Sequence, residues 1–175
     1  MSQGRRFFSD EPITGAEATL AGPEAHHLLH VIRMKPGEEA RLFDNSGAEF
    51  QARLVRAGRR EATFEIISRS EPAREPRSAV TVACALPRGP RADFLVEKCC
   101  ELGAAGFIPL WCARSVVDPR VRPENRAAKW RRTAIEASKQ CGRTRLTRIL
   151  PPAAFSELVA DSGGYDARWL CSPGG

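Results

Sequence analysis

The first part of the chain alternates apolar and polar positions over short runs, a pattern typical of strands with one buried face. The clearest run covers residues 49–56 and is flanked by turns rich in Gly, Asn, Asp and Arg. Runs over 40–43 and 62–67 predict neighbouring strands, and Pro23 opens a helix predicted over 25–34. Three or more short strands joined by tight turns predict a small β-barrel.

The pattern changes after residue 71. Residues 72–77 contain two prolines and no large apolar side chain, which predicts a linker between a barrel over 1–71 and a second domain over 78–175. A continuous apolar run at 79–86 predicts a strand covered on both faces. The rest of the domain is predicted to contain a helix over 90–102, a strand over 106–110, a helix over 123–141, and strands over 146–150 and 167–171. This alternation predicts a parallel α/β sheet, so the expected fold is an α+β protein of two domains.

Charge is unevenly distributed along the chain, which carries 27 Lys and Arg against 21 Asp and Glu, a net charge of +6. Residues 1–74 hold 11 basic and 11 acidic side chains, whereas residues 114–148 hold 11 basic and 3 acidic ones. Most of the basic residues are Arg, whose planar guanidinium matches phosphate oxygens, so this segment favours a nucleic-acid partner. The alternative is an Arg-rich composition imposed by a GC-rich genome, together with an ordinary solvated face.

Other compositional signals narrow the class of protein. No window approaches 18 uninterrupted apolar residues and no long apolar run follows the first arginines, so we expect no membrane span, no signal peptide and a cytoplasmic location. The six cysteines form no C-x-x-C pair, and Cys84, Cys99 and Cys141 are interpreted as small buried hydrophobes. His26 and His30 are spaced as a metal pair on a helix, but no third ligand follows at a recognisable spacing, so no metal is expected.

Two motifs in the second half carry a family resemblance. Residues 98–103 read KCCELG, and residues 136–143 read EASKQCGR. The first half adds RRFF at 5–8 and HHLLHVIR at 26–33. In this order the motifs resemble the RsmE family of ribosomal RNA methyltransferases, which carry K-x-x-E-L-G and E-A-x-x-Q-x-x-R.

The resemblance implies a PUA-like RNA-binding β-barrel followed by a SPOUT-type α/β domain of the trefoil-knot class. It also implies transfer of a methyl group from S-adenosyl-L-methionine to N3 of a uridine in small-subunit (16S) ribosomal RNA, by a homodimer. Family members carry G-P-E-G-G and L-G-x-x-I-L-R-x-E-T-A segments that form the knot and hold the methyl donor. The 175 residues contain neither segment, so the second domain is expected to be incomplete at its C-terminus. The residues that bind the cofactor are therefore left unassigned. A non-catalytic, truncated RNA-binding remnant is the alternative.

Three residues of these motifs are candidate catalytic groups. Arg143, just beyond a predicted helix end, suits a phosphate or a flipped base, and its alternative role is to complement the helix dipole. Gln140 lies one turn earlier, where its amide can read a base edge. Glu101 is a candidate general base for the uridine N3 proton, and its alternative role is an ion pair with Lys98.

A second set of residues is predicted to contact the RNA backbone, where each contact adds salt-dependent affinity without sequence information. The alternative is a surface salt bridge for Arg114 and a solvated surface position for the other members. The set comprises Arg5, Arg6, Arg33, Arg114, Lys129, Arg132 and Arg145. Phe7 and Phe8 are interpreted as core residues rather than as platforms for stacked bases, and Trp130 as a core residue or a dimer contact.

Overall fold

The computed structural model describes residues 5–160 and 164–171. Its first domain is a five-stranded sheet in the order β1-β3-β4-β5-β2. The strands are β1 (Arg6–Phe8), β2 (Glu17–Leu20), β3 (Glu39–Phe43), β4 (Glu49–Ala57) and β5 (Ala62–Ser70). β1 pairs with β3 in parallel, and the other neighbouring strands pair antiparallel. Within the described residues the edge strands β1 and β2 do not pair with each other, so the expected barrel is a half-barrel.

The apolar face of this sheet forms the first core. Phe50, Ala52 and Leu54 of β4 are at most 3% exposed, as their alternation with polar residues predicts. Phe7 and Phe64 are fully buried in the same cluster, which confirms Phe7 as a core residue. Two shifts of register between β4 and β5 mark bulges, and bulges bend a sheet towards a barrel.

The helix predicted for this domain is present in a different form. It begins as α1 (Gly22–His26) and continues as a π-helix over His27–Ile32. Leu28 is fully buried and anchors the π-helix to the core. Arg33 ends it in the left-handed conformation, with φ of 58°. The wider π-turn was not predicted, because an apolar pattern does not distinguish it from an α-helical turn at this length.

The second domain is a parallel sheet centred on β7. Its elements are β6 (Thr81–Ala85), α2 (Pro90–Glu101), β7 (Gly106–Trp111), α3 (Pro123–Cys141), β8 (Arg148–Ile149), β9 (Ala153–Ala154) and α4 (Phe155–Ala160). β6, β8 and β9 all pair in parallel with β7, as the alternation of strands and helices predicts. Val96, Phe107 and Trp130 meet in its core, where the rings of Phe107 and Trp130 lie edge to face at 5.7 Å. Trp130 is therefore a core residue. No helix in the described ranges is long and apolar enough to cross a membrane.

Three expectations for this domain are wrong. The run at 79–86 is not covered on both faces, because β6 is an edge strand of the described sheet and its residues are half-buried or exposed. Residues 167–171 form no strand and Trp169 is 84% exposed, because apolar content alone does not form a strand without a hydrogen-bonded neighbour. Cys141 is exposed, because the buried position at the end of α3 is Ser138, whose carbonyl faces the barrel.

Buried ion pairs join the two domains at the end of α3. Glu49 of β4 binds Arg6 at 3.0 Å and Arg74 at 3.2 Å. The side chains of Glu49 and Arg6 are only 8% and 7% exposed. Arg6 also donates hydrogen bonds to the carbonyls of Ser138 and Arg143 at 2.6 and 3.0 Å, so its guanidinium connects β1 with the end of α3. Burial lowers the pKa of Arg6, and the Glu49 carboxylate opposes that shift by favouring the charged form.

A second buried pair and the linker complete this contact, which we call the junction. Lys139 of α3 binds Glu24 of α1 at 3.1 Å, with side chains 7% and 13% exposed. The linker belongs to the junction, since Arg74 also donates to the carbonyl of Gly142 at 2.9 Å. Gly142 has φ of 87°, and a Cβ there would lie 3.1 Å from Arg74 Nη1, so glycine suits both the turn and the approach of Arg74. An apolar cluster covers the junction and comprises Phe8, Phe43, Ile135 and Leu146.

Replacing the central carboxylate is expected to loosen the junction. Glu49→Gln leaves the buried Arg6 cation without a charged partner, which should reduce the free energy of unfolding by about 3 kcal/mol. The matched control is Glu38→Gln, which removes the exposed Arg5–Glu38 pair and should change stability little. Urea unfolding followed by circular dichroism measures both. Equal, small effects of the two substitutions would contradict a structural role for Glu49.

Candidate nucleic-acid interface

Acidic partners neutralise part of the basic segment over 114–148. Lys129 of α3 binds Asp93 at 2.6 Å, and Arg131 binds Asp10 of the barrel at 2.6 Å. Both cations therefore contribute less to the potential at the surface than the sequence count suggests. Lys129, predicted to contact RNA, is exposed but has this carboxylate partner.

Four members of the predicted RNA-binding set remain exposed without an ion pair or a side-chain hydrogen bond in the part of the chain that the structure describes. Arg114 and Arg132 lie on the second domain, and Arg33 ends the π-helix of the first. Arg145 lies over the turn at Gly47, where a Cβ would come within 2.8 Å of its Nη2 atom. These four guanidinium groups can therefore donate hydrogen bonds to phosphate oxygens.

The two N-terminal members of the set have other partners. Arg5 forms an exposed ion pair with Glu38 at 2.8 Å. The structure does not leave Arg6 available to RNA, because its side chain is buried at the junction against Glu49 and the end of α3. Residue type and position alone did not reveal this, since Ser138, its closest partner, lies 132 residues away in sequence.

Arg143 also lies at the junction rather than in an open site. The residue is 4% exposed, and its Nη1 atom donates to the carbonyls of Cys100 and Ala104 at 2.9 and 3.1 Å and to the Thr147 hydroxyl at 3.0 Å. Its Nε and Nη2 atoms donate to Glu75 at 3.0 and 2.8 Å. Because these donors are bound to protein groups, Arg143 helps to hold the junction together. The geometry does not favour the predicted contact of Arg143 with a phosphate or a flipped base.

Glu101 and Gln140 keep accessible polar groups. Lys98 Nζ lies 2.8 and 2.7 Å from the two carboxylate oxygens of Glu101, which confirms the ion pair considered as its alternative role. The Glu101 side chain is 33% exposed. Gln140 is exposed near the end of α3. Within the described residues, no hydrogen bond or ion pair links the side chains of Glu101, Gln140 and Arg143.

Glu75 organises the backbone that follows α3. One of its carboxylate oxygens accepts the amides of Thr144 and Arg145, both at 3.0 Å, and the other binds Arg143. Burial acts to raise the pKa of Glu75, but hydrogen bonds from Arg143 and the two amides outweigh it and hold the pKa below its ordinary value. The ionised form of Glu75 is therefore the form that the junction binds.

An apolar cavity of about 300 Å³ lies at the carboxyl ends of β7 and β8, where parallel sheets commonly bind ligands. Prolines dominate its wall, and the Trp130 ring contributes to it. Its charged residues are Glu124 and Arg126, and Arg126 already donates to the carbonyl of Asp118 at 3.0 Å.

A second cavity, of about 380 Å³, lies on the first domain. It is lined by Gly22, His26, His30, Arg59 and Arg60. The sequence prediction treated Arg59 and Arg60 only as part of a turn, and their place beside the two histidines was not predicted. The described ranges contain no group of three or more His, Cys, Asp or Glu side chains placed to hold a metal ion.

Two protein families match successive parts of the chain. An RNA methyltransferase PUA domain matches residues 20–67, and an RNA methyltransferase domain matches residues 73–175. The chain belongs to the RNA methyltransferase family. The boundary between the two matches falls just before the linker residues Arg74 and Glu75, which hold the two domains together.

Individual relatives support the RsmE resemblance of this RNA methyltransferase chain. It is 29% identical to the ribosomal RNA small subunit methyltransferase E of Bacillus subtilis (strain 168), over 85% of this chain and 58% of the relative. The protein of the same name from Synechocystis is 29% identical over 95% of this chain and 53% of the relative. The chain thus spans about half the length of these curated relatives.

Solved structures agree with the fold of both domains. A ribosomal RNA small subunit methyltransferase E from Neisseria gonorrhoeae, bound to S-adenosyl methionine, is 28% identical with a TM-score of 0.81, covering 92% of this chain and 66% of that chain. A putative methyltransferase from Legionella pneumophila, in complex with SAM, is 26% identical with a TM-score of 0.83, covering 91% of this chain and 66% of that chain.

The apolar cavity of the methyltransferase domain does not by itself fit a methyl donor of this kind. S-adenosylmethionine carries an adenine edge, ribose hydroxyls and an amino-acid group, and sites for such ligands place several polar groups around an apolar wall. Among the described residues Glu124 is the one carboxylate that lines the cavity, and Arg126 donates to the carbonyl of Asp118. We therefore derive no step of methyl transfer from this cavity.

The lowered pKa of Glu75 predicts acid sensitivity of the junction. A carboxylate with a lowered pKa in the folded state stabilises the fold fully above its ordinary value of about 4.3 and loses that effect as the pH falls through the folded-state value. Glu75→Gln should therefore flatten the decrease in unfolding free energy below about pH 5. The matched control Glu71→Gln, which removes an exposed pair with Arg69, should keep the wild-type slope. Parallel acid curves for wild type and Glu75→Gln would contradict the assignment.

Proposed function

We propose that this chain provides the RNA-binding and methyltransferase domains of an enzyme that transfers a methyl group from S-adenosylmethionine to N3 of a uridine in small-subunit (16S) ribosomal RNA. The observation that carries the proposal is the match of an RNA methyltransferase domain to residues 73–175, directly after a PUA domain match. The relatives named ribosomal RNA small subunit methyltransferase E support the ribosomal substrate. The S-adenosyl methionine bound to one similar structure supports the donor.

The structure supports this proposal through the relative placement of its surfaces. A transfer reaction needs the acceptor base and the donor held in a fixed geometry, which removes much of the entropic barrier. The ion pairs of the junction fix the first domain on the end of α3, next to the exposed Arg145 and Gln140. RNA bound to both domains would therefore be held at a constant distance from the second sheet.

Two residues carry proposed roles towards the base. Gln140 hydrogen-bonds to the edge of the uridine, because its amide is exposed and offers both a donor and an acceptor. Glu101 accepts the N3 proton, which requires its carboxylate to leave the ion pair with Lys98. The proposal also includes the small ribosomal subunit as partner, a homodimeric state and a cytoplasmic location, as the family resemblance implies.

A second candidate function is RNA binding without methyl transfer. The observation that favours it is the lining of the apolar cavity, which offers few polar groups to a methyl donor. In that case the free arginines of both domains would still bind RNA. Calorimetric titration with S-adenosylmethionine separates the two functions before any assay of activity.

Incubating the chain with S-adenosylmethionine and undermethylated small subunits tests the proposal directly. We expect N3-methyluridine in the digested RNA, detected by mass spectrometry, and none when the donor is omitted. Gln140→Ala should lower the rate of methyl transfer about tenfold, as expected for one lost hydrogen bond in the transition state. Asn125→Ala, which removes an exposed amide near the start of the same helix, is the matched control and should keep the wild-type rate.

The outcomes separate the candidates. Absence of N3-methyluridine and of donor binding, with RNA binding retained, contradicts the methyltransferase proposal and supports the second function. Absence of RNA binding as well contradicts both. Methylation at another atom of the base would retain the enzyme class and contradict the N3 assignment.

A further inference from the structure

The cavity on the first domain brings together residues from two separate elements. His26 and His30 come from α1 and the π-helix, and their rings lie 4.8 Å apart. Arg59 and Arg60 come from the turn between β4 and β5. The volume, about 380 Å³, falls within the range of about 300–1,000 Å³ that small-molecule sites occupy. The imidazoles and guanidinium groups thus share one accessible concavity.

The charge in this cavity is uncompensated. Its lining contains no carboxylate, and neither Arg59 nor Arg60 has an ion pair or side-chain hydrogen bond among the residues that the structure describes. Several other exposed arginines of the same domain are paired with carboxylates, for example Arg53 with Glu39 at 2.9 Å and Arg69 with Glu71 at 2.6 Å. In a domain whose sequence is electrically balanced, the cavity therefore concentrates unpaired positive charge.

The two guanidinium groups share the cavity with the histidine pair and would repel a divalent cation bound at His26 and His30. The same groups suit an anion, because guanidinium forks match the oxygens of a phosphate and imidazoles donate through a ring N–H. Phosphate oxygens are the ligand chemistry that all four side chains can recognise together.

We propose that this cavity binds backbone phosphate groups of RNA, and that it is an anchoring point for the RNA on the first domain. The inference rests on the proposed function, which supplies RNA as the substrate. The exposure of both arginines favours a polymer over a free ion, because an open cleft lets a chain of phosphates pass through while a small ion would remain solvated. The contacts are to phosphates, so they add affinity and position the RNA without reading its sequence.

The test compares two double variants with the same change in net charge. Arg59→Gln with Arg60→Gln removes the cavity cations, whereas Arg53→Gln with Arg69→Gln removes two exposed cations outside it. Binding of a single-stranded ribo-oligonucleotide is measured by fluorescence anisotropy over a series of salt concentrations. We expect the cavity variant to bind about tenfold more weakly, with a salt slope lower by about 1.4, since each phosphate contact contributes about 0.7 for single strands. The control should keep the wild-type slope.

A spectroscopic readout identifies the ligand independently of the substitutions. In heteronuclear NMR spectra the ring signals of His26 and His30 should shift on addition of the oligonucleotide and much less with inorganic phosphate at equal phosphate concentration. Equal shifts with inorganic phosphate would contradict the assignment to RNA. Shifts with zinc at micromolar concentration that vanish in His26→Gln would contradict an anion site altogether.

The results also separate this inference from the proposed function. Wild-type chain that binds no RNA contradicts the RNA-binding part of the proposed function. Wild-type chain that binds RNA, with equal losses in the two double variants, contradicts only the cavity assignment. Thermal melting at the wild-type temperature in both variants shows that each fold is intact, which the exposure of all four arginines predicts.

Discussion

A carboxylate buried between two guanidinium groups holds the molecule together. Glu49 binds Arg6 from the first strand and Arg74 from the linker, and both arginines continue to backbone carbonyls at the end of α3. Burying these charges is unfavourable unless every partner is in place, so the pairs specify one relative orientation of the two domains. Two further ion pairs join the same parts of the chain: Lys139 binds Glu24, and Arg143 binds Glu75.

Because of these pairs, the count of basic residues overstates the positive charge that is exposed at the surface. Part of the positive excess in residues 114–148 is used inside the protein, at Lys139 and Arg143, or is neutralised at the surface, at Lys129 and Arg131. Among the described residues, the cations left unpaired at the surface are fewer than the composition suggests and lie on both domains. The electrically balanced first domain contributes some of them, because balance over a whole domain does not require pairing at each site.

The sequence predicted the elements whose signal is local. Apolar periodicity placed Trp130 in the second core, and alternation placed Phe50 and Leu54 in the first. It placed Arg143 correctly beyond the end of α3, but its partner Glu75 is 68 residues away and no local pattern reveals such a pair.

The remaining features depend on contacts between elements that lie far apart in the sequence. The meeting of the histidine pair with the arginine turn depends on the packing of α1 against the sheet, which the sequence does not display. At residues 167–171 the sequence predicted a strand that the structure does not contain. The composition of this segment suits a strand, but a strand forms only beside a neighbour with which it can pair.

The most direct test of the rigid junction is hydrogen exchange at the backbone amides of Thr144, Arg145 and Leu146. In the structure Glu75 accepts the first two amides and the side chain of Asn45 accepts the third at 2.7 Å. We expect all three to exchange as slowly as the amides of β7 in the core, although Arg145 is an exposed residue. Exchange as fast as at the exposed turn of Arg59 and Arg60 would show that the junction opens freely and does not hold the two domains in one orientation.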